Sequence, residues 1–405
     1  MELKKDWEIK KLGEVCQIKG GKRIPKGKKL LTEKTLHPYI RVTDFTDDGT
    51  VSLSDIHYIS DEIYETIKQY TITTSDVFIS IAGTIGKVGV IPVELNNANL
   101  TENACKLILN DRLYNKYLVY VFQSDKIKAI TQDNARANAM PKLSLTRLSN
   151  IEIPVPPLEE QKRIVKILDE KFAQLESLKA NAQTNLQNAK DLFLSQLAKA
   201  FTNTTWEKKR LGDVCEIRPS KSETTKYLSD DDNVSFLPME DLQIMNYYIE
   251  PKQSKKLKEV SGSYTCFANG DVLLAKVTPC FENGKQGIAK DLTNGVGFGS
   301  SEYIVFRPAS ELLSEYLYYS LATSDFRENG KKHLLGACGL KRLSKDYVNE
   351  YNIPLPPLPE QKRIVKELDT LSEKVRLLQE IYTKQIANCD ELKQAYLQKA
   401  FEGEL

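Results

Sequence analysis

Two stretches of the chain place apolar residues at alternating steps of four and three. In the first, positions 168, 172, 175, 179, 182, 186, 189, 193, 196 and 200 hold Leu, Phe or Ala, except at Lys179 and Gln196. Leu168, Phe172, Leu175, Leu186 and Phe193 mark this stripe. The second keeps the same rhythm over 368, 371, 375, 378, 382, 385, 389, 392, 396 and 399, with Leu368, Leu371, Val375, Leu378 and Leu392 as its apolar markers. A sustained stripe of this kind predicts a long helix packed through a coiled-coil seam. Neither interior, 160–201 or 360–401, contains Pro or Gly, so each helix should run about 60 Å at roughly 1.5 Å per residue. One stripe alone also describes a surface helix lying on a domain. Two equal stripes favour mutual pairing.

Outside the stripes the period changes. Short apolar runs such as DVFISIAG, KVGVIP, CKLILN, GDVLLAKV and EYIVFRP are broken by Gly, Asn and Asp turns, the pattern of short strands. A single helical stretch is expected near the end of each such region, from Asp111 and from Ala309. The expected fold class is α+β: two strand-rich mixed α/β domains, at 1–152 and 202–352, joined by two long helices in the regions 153–201 and 353–405.

The two halves are copies. IPVPPLEEQKRIVKILDE from Ile153 matches IPLPPLPEQKRIVKELDT from Ile353 at 14 of 18 positions, and WEIKKLGEVCQI from Trp7 matches WEKKRLGDVCEI from Trp206 at 8 of 12. QLAKAF from Gln196 matches YLQKAF from Tyr396 in the same order. Three matches in register establish an internal duplication. The stretches between these frames have drifted apart, so a common scaffold presents different surfaces. Pro157 and Pro359 suit helix entrances, where a missing N–H is harmless, and Glu159, Glu160 and Glu360 favour the positive end of the helix dipole.

Composition narrows the class without naming it. The 405 residues carry 41% hydrophobic and 28% charged side chains and a net charge of +2, which suits a soluble protein of two or more domains. No apolar run reaches eighteen residues, so no membrane span is expected, and the charged start MELKKDWEIK does not read as a secretion signal. Seven cysteines without CxxC spacing point to reduced thiols and a cytoplasmic location. Cys16 and Cys215, at matching places in the copies, read as small core fillers.

A catalytic constellation is not legible. His37, His57 and His333 have neither ligand nor triad spacing. GTIGKVG at Gly83 and PCFENGKQGIA at Pro279 lack the spacing of a phosphate-wrapping loop and read as tight hairpins. IPVPPL and IPLPPL lack the polar first residue and closing aromatic of an adenine-methyltransferase motif. No metal site is indicated.

Basic and amide-bearing turns recur near the same landmarks of both copies. In the first they are Lys22, Arg23, Lys26, Arg41, Lys87, Arg136, Asn138 and Lys142. In the second they are Arg218, Lys221, Lys276, Asn283, Lys285, Lys331, Lys332, Lys341 and Arg342. Lys and Arg neutralise phosphates, while Arg and Asn also discriminate base edges. Taken singly, such clusters are more often solvated surface; their recurrence makes DNA contact a serious reading.

The paired PPL[EP]EQKRIV segments, each opening a long heptad helix, and the recurrent WE-K-LG-VC opening resemble the specificity subunit of type I restriction-modification systems. GDVLLAKVTPCFENGK and GFGSSEYIVFRP match the style of its target-recognition domains, and the resemblance spans essentially the whole chain. It implies two target-recognition domains, each reading one half of a split double-stranded DNA target. It implies that the long helices pack antiparallel as a coiled-coil spacer and dock two methyltransferase subunits, with restriction subunits joining that core. It also implies a non-catalytic chain without cofactors of its own. Adenine methylation and ATP-driven cleavage, with S-adenosylmethionine, ATP and Mg, would belong to the partners. The loops around Gly83 and Lys87 and around Gly284 and Lys285 are the expected neighbours of DNA, and their different composition implies an asymmetric target. A coiled-coil adaptor that joins proteins without touching DNA is the alternative; it uses the same helices but has no need of two dissimilar domains with basic turns.

Overall fold

The computed structural model describes residues 6–136, 142–202, 205–244, 247–336 and 339–405. They form two compact units: residues 1–182 with 384–405, and residues 183–383. The duplication read from the frames extends through the diverged middles, because both units have the same strand order.

In the first unit the Trp-Glu opening and the IPVPPL segment are neighbouring strands. Glu8–Lys11 pairs antiparallel with Glu152–Val155, and Leu12 N–H donates to the Ile151 carbonyl at 2.9 Å. In the second unit Lys208–Arg210 pairs with Asn352–Pro354, and Leu211 N–H donates to the Tyr351 carbonyl, also at 2.9 Å. The two repeated segments are therefore the two sides of one ladder that closes each domain. Cys16 and Cys215 follow it as buried residues, and burial pushes both thiols up to about 12.

Each ladder leads into two four-stranded sheets. The opening sheet of the first unit runs Cys16–Gly20, Ala104–Leu109, Val77–Ser80, Val88–Gly89, all antiparallel. Its counterpart runs Cys215–Ile217, Tyr303–Pro308, Val272–Ala275, Gln286–Ile288. The other sheet runs His57–Tyr58, Pro38–Ile40, Ala98–Leu100, Thr71–Ile72 in the first unit. In the second unit it runs Gln253–Lys256, Asn233–Leu237, Val296–Gly299, Thr265–Ala268. Both contain one parallel pair, at Pro38–Ile40 with Ala98–Leu100 and at Asn233–Leu237 with Val296–Gly299. The runs VFIS and VLLA are buried at every position, which is why they read as continuous rather than alternating hydrophobicity.

The expected single helices from Asp111 and Ala309 are each two helices: Asn115–Gln123 then Asp125–Arg136, and Ser314–Ala322 then Ser324–Lys332. Ser124 and Thr323 are extended between them. Thr323 Oγ1 accepts from Phe326 N–H and caps the new helix, the local competition that favours Ser and Thr at such breaks.

The long helices span Leu158–Phe201 and Leu358–Glu402. They begin directly after the double proline, so Pro359 sits in a first turn, where its missing N–H has no intrahelical partner to lose. The glutamine of each EQ pair explains the motif. Gln161 and Gln361 are fully buried. Gln161 Nε2 donates to the Pro156 and Arg112 carbonyls, both at 2.8 Å, and its Oε1 accepts from Tyr114 N–H at 2.8 Å. Gln361 repeats this with the Pro356 and Glu311 carbonyls at 2.9 and 2.8 Å and Leu313 N–H at 2.9 Å. Tyr117 and Tyr316 hydroxyls donate to the Pro154 and Pro354 carbonyls at 3.0 and 2.9 Å. Tyr120 and Tyr319 hydroxyls donate about two turns further along the long helices, to Asp169 and Asp369. Each helix start is thus riveted to the domain it leaves.

Within the first unit the N-terminal half of the first long helix and the C-terminal half of the second run antiparallel. Lys179 pairs with Asp390 at 2.6 Å and Glu176 with Lys393 at 3.6 Å. Phe172, Leu175, Cys389, Leu397 and Ala400 share one apolar core there. In the second unit Ala189, Phe193 and Leu197 share a core with Ile364, Leu368 and Val375. Leu168, Phe172, Leu175, Phe193, Leu368 and Val375 are buried as the stripe requires, while Leu186 and Leu371 are half-buried. Leu378 and Leu392 depart from it, at 37% and 49% exposed. The seam steps by four rather than three at both places, to Gln379 and Lys393, which are half-buried. The Lys393 ammonium lies 5.1 Å over the Phe172 ring, so its stem covers apolar surface while its charge is satisfied.

Two outcomes follow. Gln361→Ala leaves a buried N–H and two carbonyls without a partner and should destabilise the second unit by about 2–4 kcal/mol; the amide of Leu313 should lose hydrogen-exchange protection selectively, and unchanged protection refutes the rivet. Leu368→Ala should cost about 2–5 kcal/mol but Leu378→Ala only about 0.5 kcal/mol, as compared by thermal unfolding.

Candidate nucleic-acid interface

Four chain segments meet at one end of the opening sheet in each unit, tied by matching backbone bonds. In the first, Ile81 N–H donates to the Asn103 carbonyl at 2.8 Å, and Leu143 N–H donates to the Ile81 carbonyl at 2.9 Å. In the second, Lys276 N–H donates to the Glu302 carbonyl at 2.9 Å, and Leu343 N–H donates to the Lys276 carbonyl at 2.8 Å. Ala82 bridges Lys142 as Val277 bridges Arg342. These bonds equate Ile81 with Lys276, Asn103 with Glu302, and Lys142 with Arg342. Lys19 and Arg218, each three residues past the matching buried cysteine, complete the set.

Each pole therefore carries two outer basic positions, Lys19 and Lys142 or Arg218 and Arg342. The inner pair changes from Ile81 with Asn103 to Lys276 with Glu302. In the second unit the inner pair is charged and partly buried. Arg342 and Glu302 form a bidentate ion pair, with Nη2 to Oε1 at 2.8 Å. Lys276 Nζ donates to the Ser301 carbonyl at 2.7 Å and stands 3.9 Å from the Glu302 carboxylate. The Arg342 hydrogen bonds hold the Glu302 carboxyl below the usual carboxylate range. Burial holds the Lys276 ammonium below its usual value, and the positive charges of Arg218 and Arg342 add to this.

The first pole is shaped by the KGGKR turn. A Cβ on Gly21 would lie 2.1 Å from the Thr101 carbonyl oxygen and 2.4 Å from that of Leu100, so only glycine permits this approach. It lets Gly21 N–H reach the Ala104 carbonyl and Lys22 N–H reach that of Leu100. Lys22 and Lys142 emerge there exposed, and the Arg23 side chain remains 76% exposed while paired with Glu102 at 2.5 Å. GTIGKVG closes the hairpin beside them, with Gly83 at φ +75°. Gly284 has φ +78° in the matching turn.

Several expected contact residues have partners within the protein. Lys87 and Lys285 occupy equivalent places before the last strand of the opening sheet, and each donates to a loop carbonyl, Phe45 and Met239, at 2.9 Å. Lys87 also pairs with Asp47 at 3.0 Å. Arg41 is held by Asp44 and Asp55, and Lys221 donates to the Ser261 and Gly262 carbonyls. Lys331 pairs with Glu328 and Lys332 with Asn329 in the last turn of their helix. Lys26, Arg218, Asn283 and Lys341 are exposed, Arg218 with its backbone at φ +62°. Asn138 lies outside the described residues, as does the side chain of Arg136. Glu302, Asn103 and Ile81 were not singled out from the sequence. The available signal was the alignment of TENACKLIL with SSEYIVFRP, which places both Asn103 and Glu302 directly before an apolar strand.

Among the described residues no group of three His, Cys, Asp or Glu side chains could hold a metal ion, and no helix is long and apolar enough to cross a membrane. The histidines are engaged locally: His37 stacks on Tyr64, His333 on Tyr347, and His57 lies 3.3 Å from Arg41.

The chain is thus a duplicated α+β scaffold that offers one basic, compositionally distinct pole per unit. The chain belongs to the family described as type I restriction modification DNA specificity domain, which matches residues 4–186 and again residues 203–385. It is 35% identical over 194 residues to the type I restriction enzyme EcoAI specificity subunit of Escherichia coli, an alignment covering 47% of this chain and 30% of that one. To the EcoEI specificity subunit of the same species it is 39% identical over 161 residues, covering 40% and 26%. The matched regions thus span under a third of these two relatives. The putative MjaX specificity subunit of Methanocaldococcus jannaschii is 23% identical over 404 residues, covering 93% of this chain and 89% of that one. Among solved structures, one concerning complex assembly and conformational transition of the type I R-M system superposes with a TM-score of 0.77 at 22% identity, covering both chains fully. The HsdS subunit from Thermoanaerobacter tengcongensis gives 0.62 at 22% identity, covering 100% of this chain and 99% of that one. These likenesses show the fold.

Proposed function

We propose that each unit reads one half of an asymmetric two-part DNA target, and that the long helices set the gap between the halves. The observation that carries this reading is the pair of equivalent poles, alike in hydrogen-bonded frame and unlike in side chains. Exposed basic residues at the poles, Lys22 and Lys142 in one and Arg218 and Lys341 in the other, suit phosphate contacts that fix position without reading sequence. The side chains that differ between the poles are suited to reading bases.

The rivets and helix continuity support the spacing role. Each long helix begins in one unit and ends in the other, and neither helix contains Pro or Gly except Pro359 in a first turn. Two sites on one DNA duplex have to be met at a fixed distance and phase, which a flexible linker does not provide. On this reading the chain has no catalytic step. It positions two methyltransferase subunits and the restriction subunits, which bring S-adenosylmethionine, ATP and Mg.

Inserting one heptad into both long helices, at Ala182 and at Lys384, tests the assignment. Seven residues add about 10.5 Å of helix, or about three base pairs at ~3.4 Å each. Sequencing the methylated sites of cells carrying the variant with its methyltransferase should show both half-sites intact and the gap longer by about three base pairs. Altered half-sites with the original gap refute the spacer. If the wild-type complex shows no DNA binding that weakens steeply with salt, the chain is a protein adaptor instead.

A further inference from the structure

Resting on the reading above, we propose that Arg342 reads a guanine in the half-site of the second unit, with Glu302 holding the guanidinium in reading position. The ion pair has a particular geometry. Arg342 Nε lies 3.1 and 2.9 Å from the two Glu302 carboxylate oxygens, and Nη2 lies 2.8 Å from Oε1. The carboxylate thus takes the side edge of the guanidinium, through Nε and one N–H of Nη2. Nη1 has no hydrogen-bond partner among the described residues, and the second N–H of Nη2 is also left. Together these form the end-on fork of the guanidinium, whose two parallel N–H groups match O6 and N7 of guanine.

The surroundings favour presentation over a purely internal role. The Glu302 side chain is 24% exposed and that of Arg342 45%, so the carboxylate stands behind a more accessible guanidinium. Both ends of the pair are fixed by backbone: the Glu302 carbonyl receives Lys276 N–H, and Arg342 is held between Val277 and Leu335. A guanidinium restrained in this way loses less side-chain freedom on binding. Lys276 and Arg342 both pair with the one carboxylate, and Arg218 is within electrostatic reach of Lys276. The cluster therefore stays net positive and does not repel DNA. The first pole has Lys142, Asn103 and Ile81 at the same places. The Lys142 ammonium is a point charge without a fork, and the guanidinium of the first pole, Arg23, pairs with Glu102 from a different place in the frame, so the position equivalent to Arg342 cannot read a base pair in the same way.

The experiment uses the assembled methyltransferase complex. Wild type, Arg342→Lys and Glu302→Gln are each expressed with the partner subunits, and methylated sites are sequenced. Binding to the wild-type target carrying single base-pair changes is measured alongside. The half belonging to the second unit is identified as the one that changes when residues 202–352 are exchanged for another such domain. That half should contain an invariant guanine in the wild type. Both variants should relax that position, lowering discrimination about ten- to a hundredfold, and leave every other position unchanged, including the whole of the other half. A motif identical to wild type in both variants overturns the assignment, as does relaxation in the other half. Uniform loss of methylation at all sites without a change in the base read overturns it too, since that is the mark of structural damage. If methylation does not depend on the wild-type chain at all, the recognition reading itself fails, which the variants alone could not produce.

Discussion

The buried glutamine at the start of each long helix is the interaction on which the architecture depends. An uncharged side chain with two donors and an acceptor meets two carbonyls and one N–H that would otherwise be buried and unsatisfied. Two of these groups belong to the loop that enters the domain's first terminal helix, and the third to the double proline. One residue therefore joins three segments at once, and apolar substitution would strand all three. This is why PPLEEQ and PPLPEQ survive almost unchanged in two copies whose other parts have drifted. The tyrosine–carbonyl and tyrosine–aspartate bonds beside the glutamine extend the joint along the helix, so that its direction as well as its origin is fixed.

With the joint fixed, divergence is confined to places where it does not disturb the frame. The opening sheets keep strand order and register through backbone bonds, which are indifferent to side-chain identity. Ile81 and Lys276 make the same two backbone bonds, though one is apolar and buried and the other a half-buried cation. Lys87 and Lys285 tie equivalent turns to loops of different sequence, Phe45 and Met239, by the same carbonyl contact. Such lysines are supports for the variable surface rather than part of it. Basic residues count toward recognition only through the donors that their internal partners leave over.

That distinction was not legible in the sequence. The duplication, the long helices and the strand-rich middles were readable because each is a periodic or repeated signal, and Leu168, Phe172 and Phe193 lie where the period puts them. Leu378 and Leu392 were misplaced because steps of three and four are both compatible with a stripe until packing chooses. Half-buried Lys393 could take the seam only because its charge reaches Glu176 and the Phe172 ring. Ser124 and Thr323 hid a helix break marked only by local hydroxyl bonds, from Ser124 Oγ to the Val121 carbonyl and from Phe326 N–H to Thr323 Oγ1. At the poles, basic composition identified the neighbourhood, but Arg41 and Lys221 became internal ties through partners 3 to 41 residues away. The identity of such partners is fixed by tertiary structure and by no local pattern.

Glu302 shows what this implies for reading recognition surfaces. An acidic residue is ordinarily discounted at a site for a polyanion, since it repels phosphate. Here it is surrounded by cations, partly buried and bound along one edge of a guanidinium, so its charge is neutralised where it stands and its effect is geometric. The first pole has Asn103 in the same place, which removes the charge and the buttress together. Duplicated domains sharing a frame can acquire different preferences by changing such a supporting residue as readily as by changing the one that touches the ligand. Because Arg342 and Glu302 come from segments 40 residues apart and meet only at the sheet end, a change in either alters what the pole can read without touching the joint that positions it.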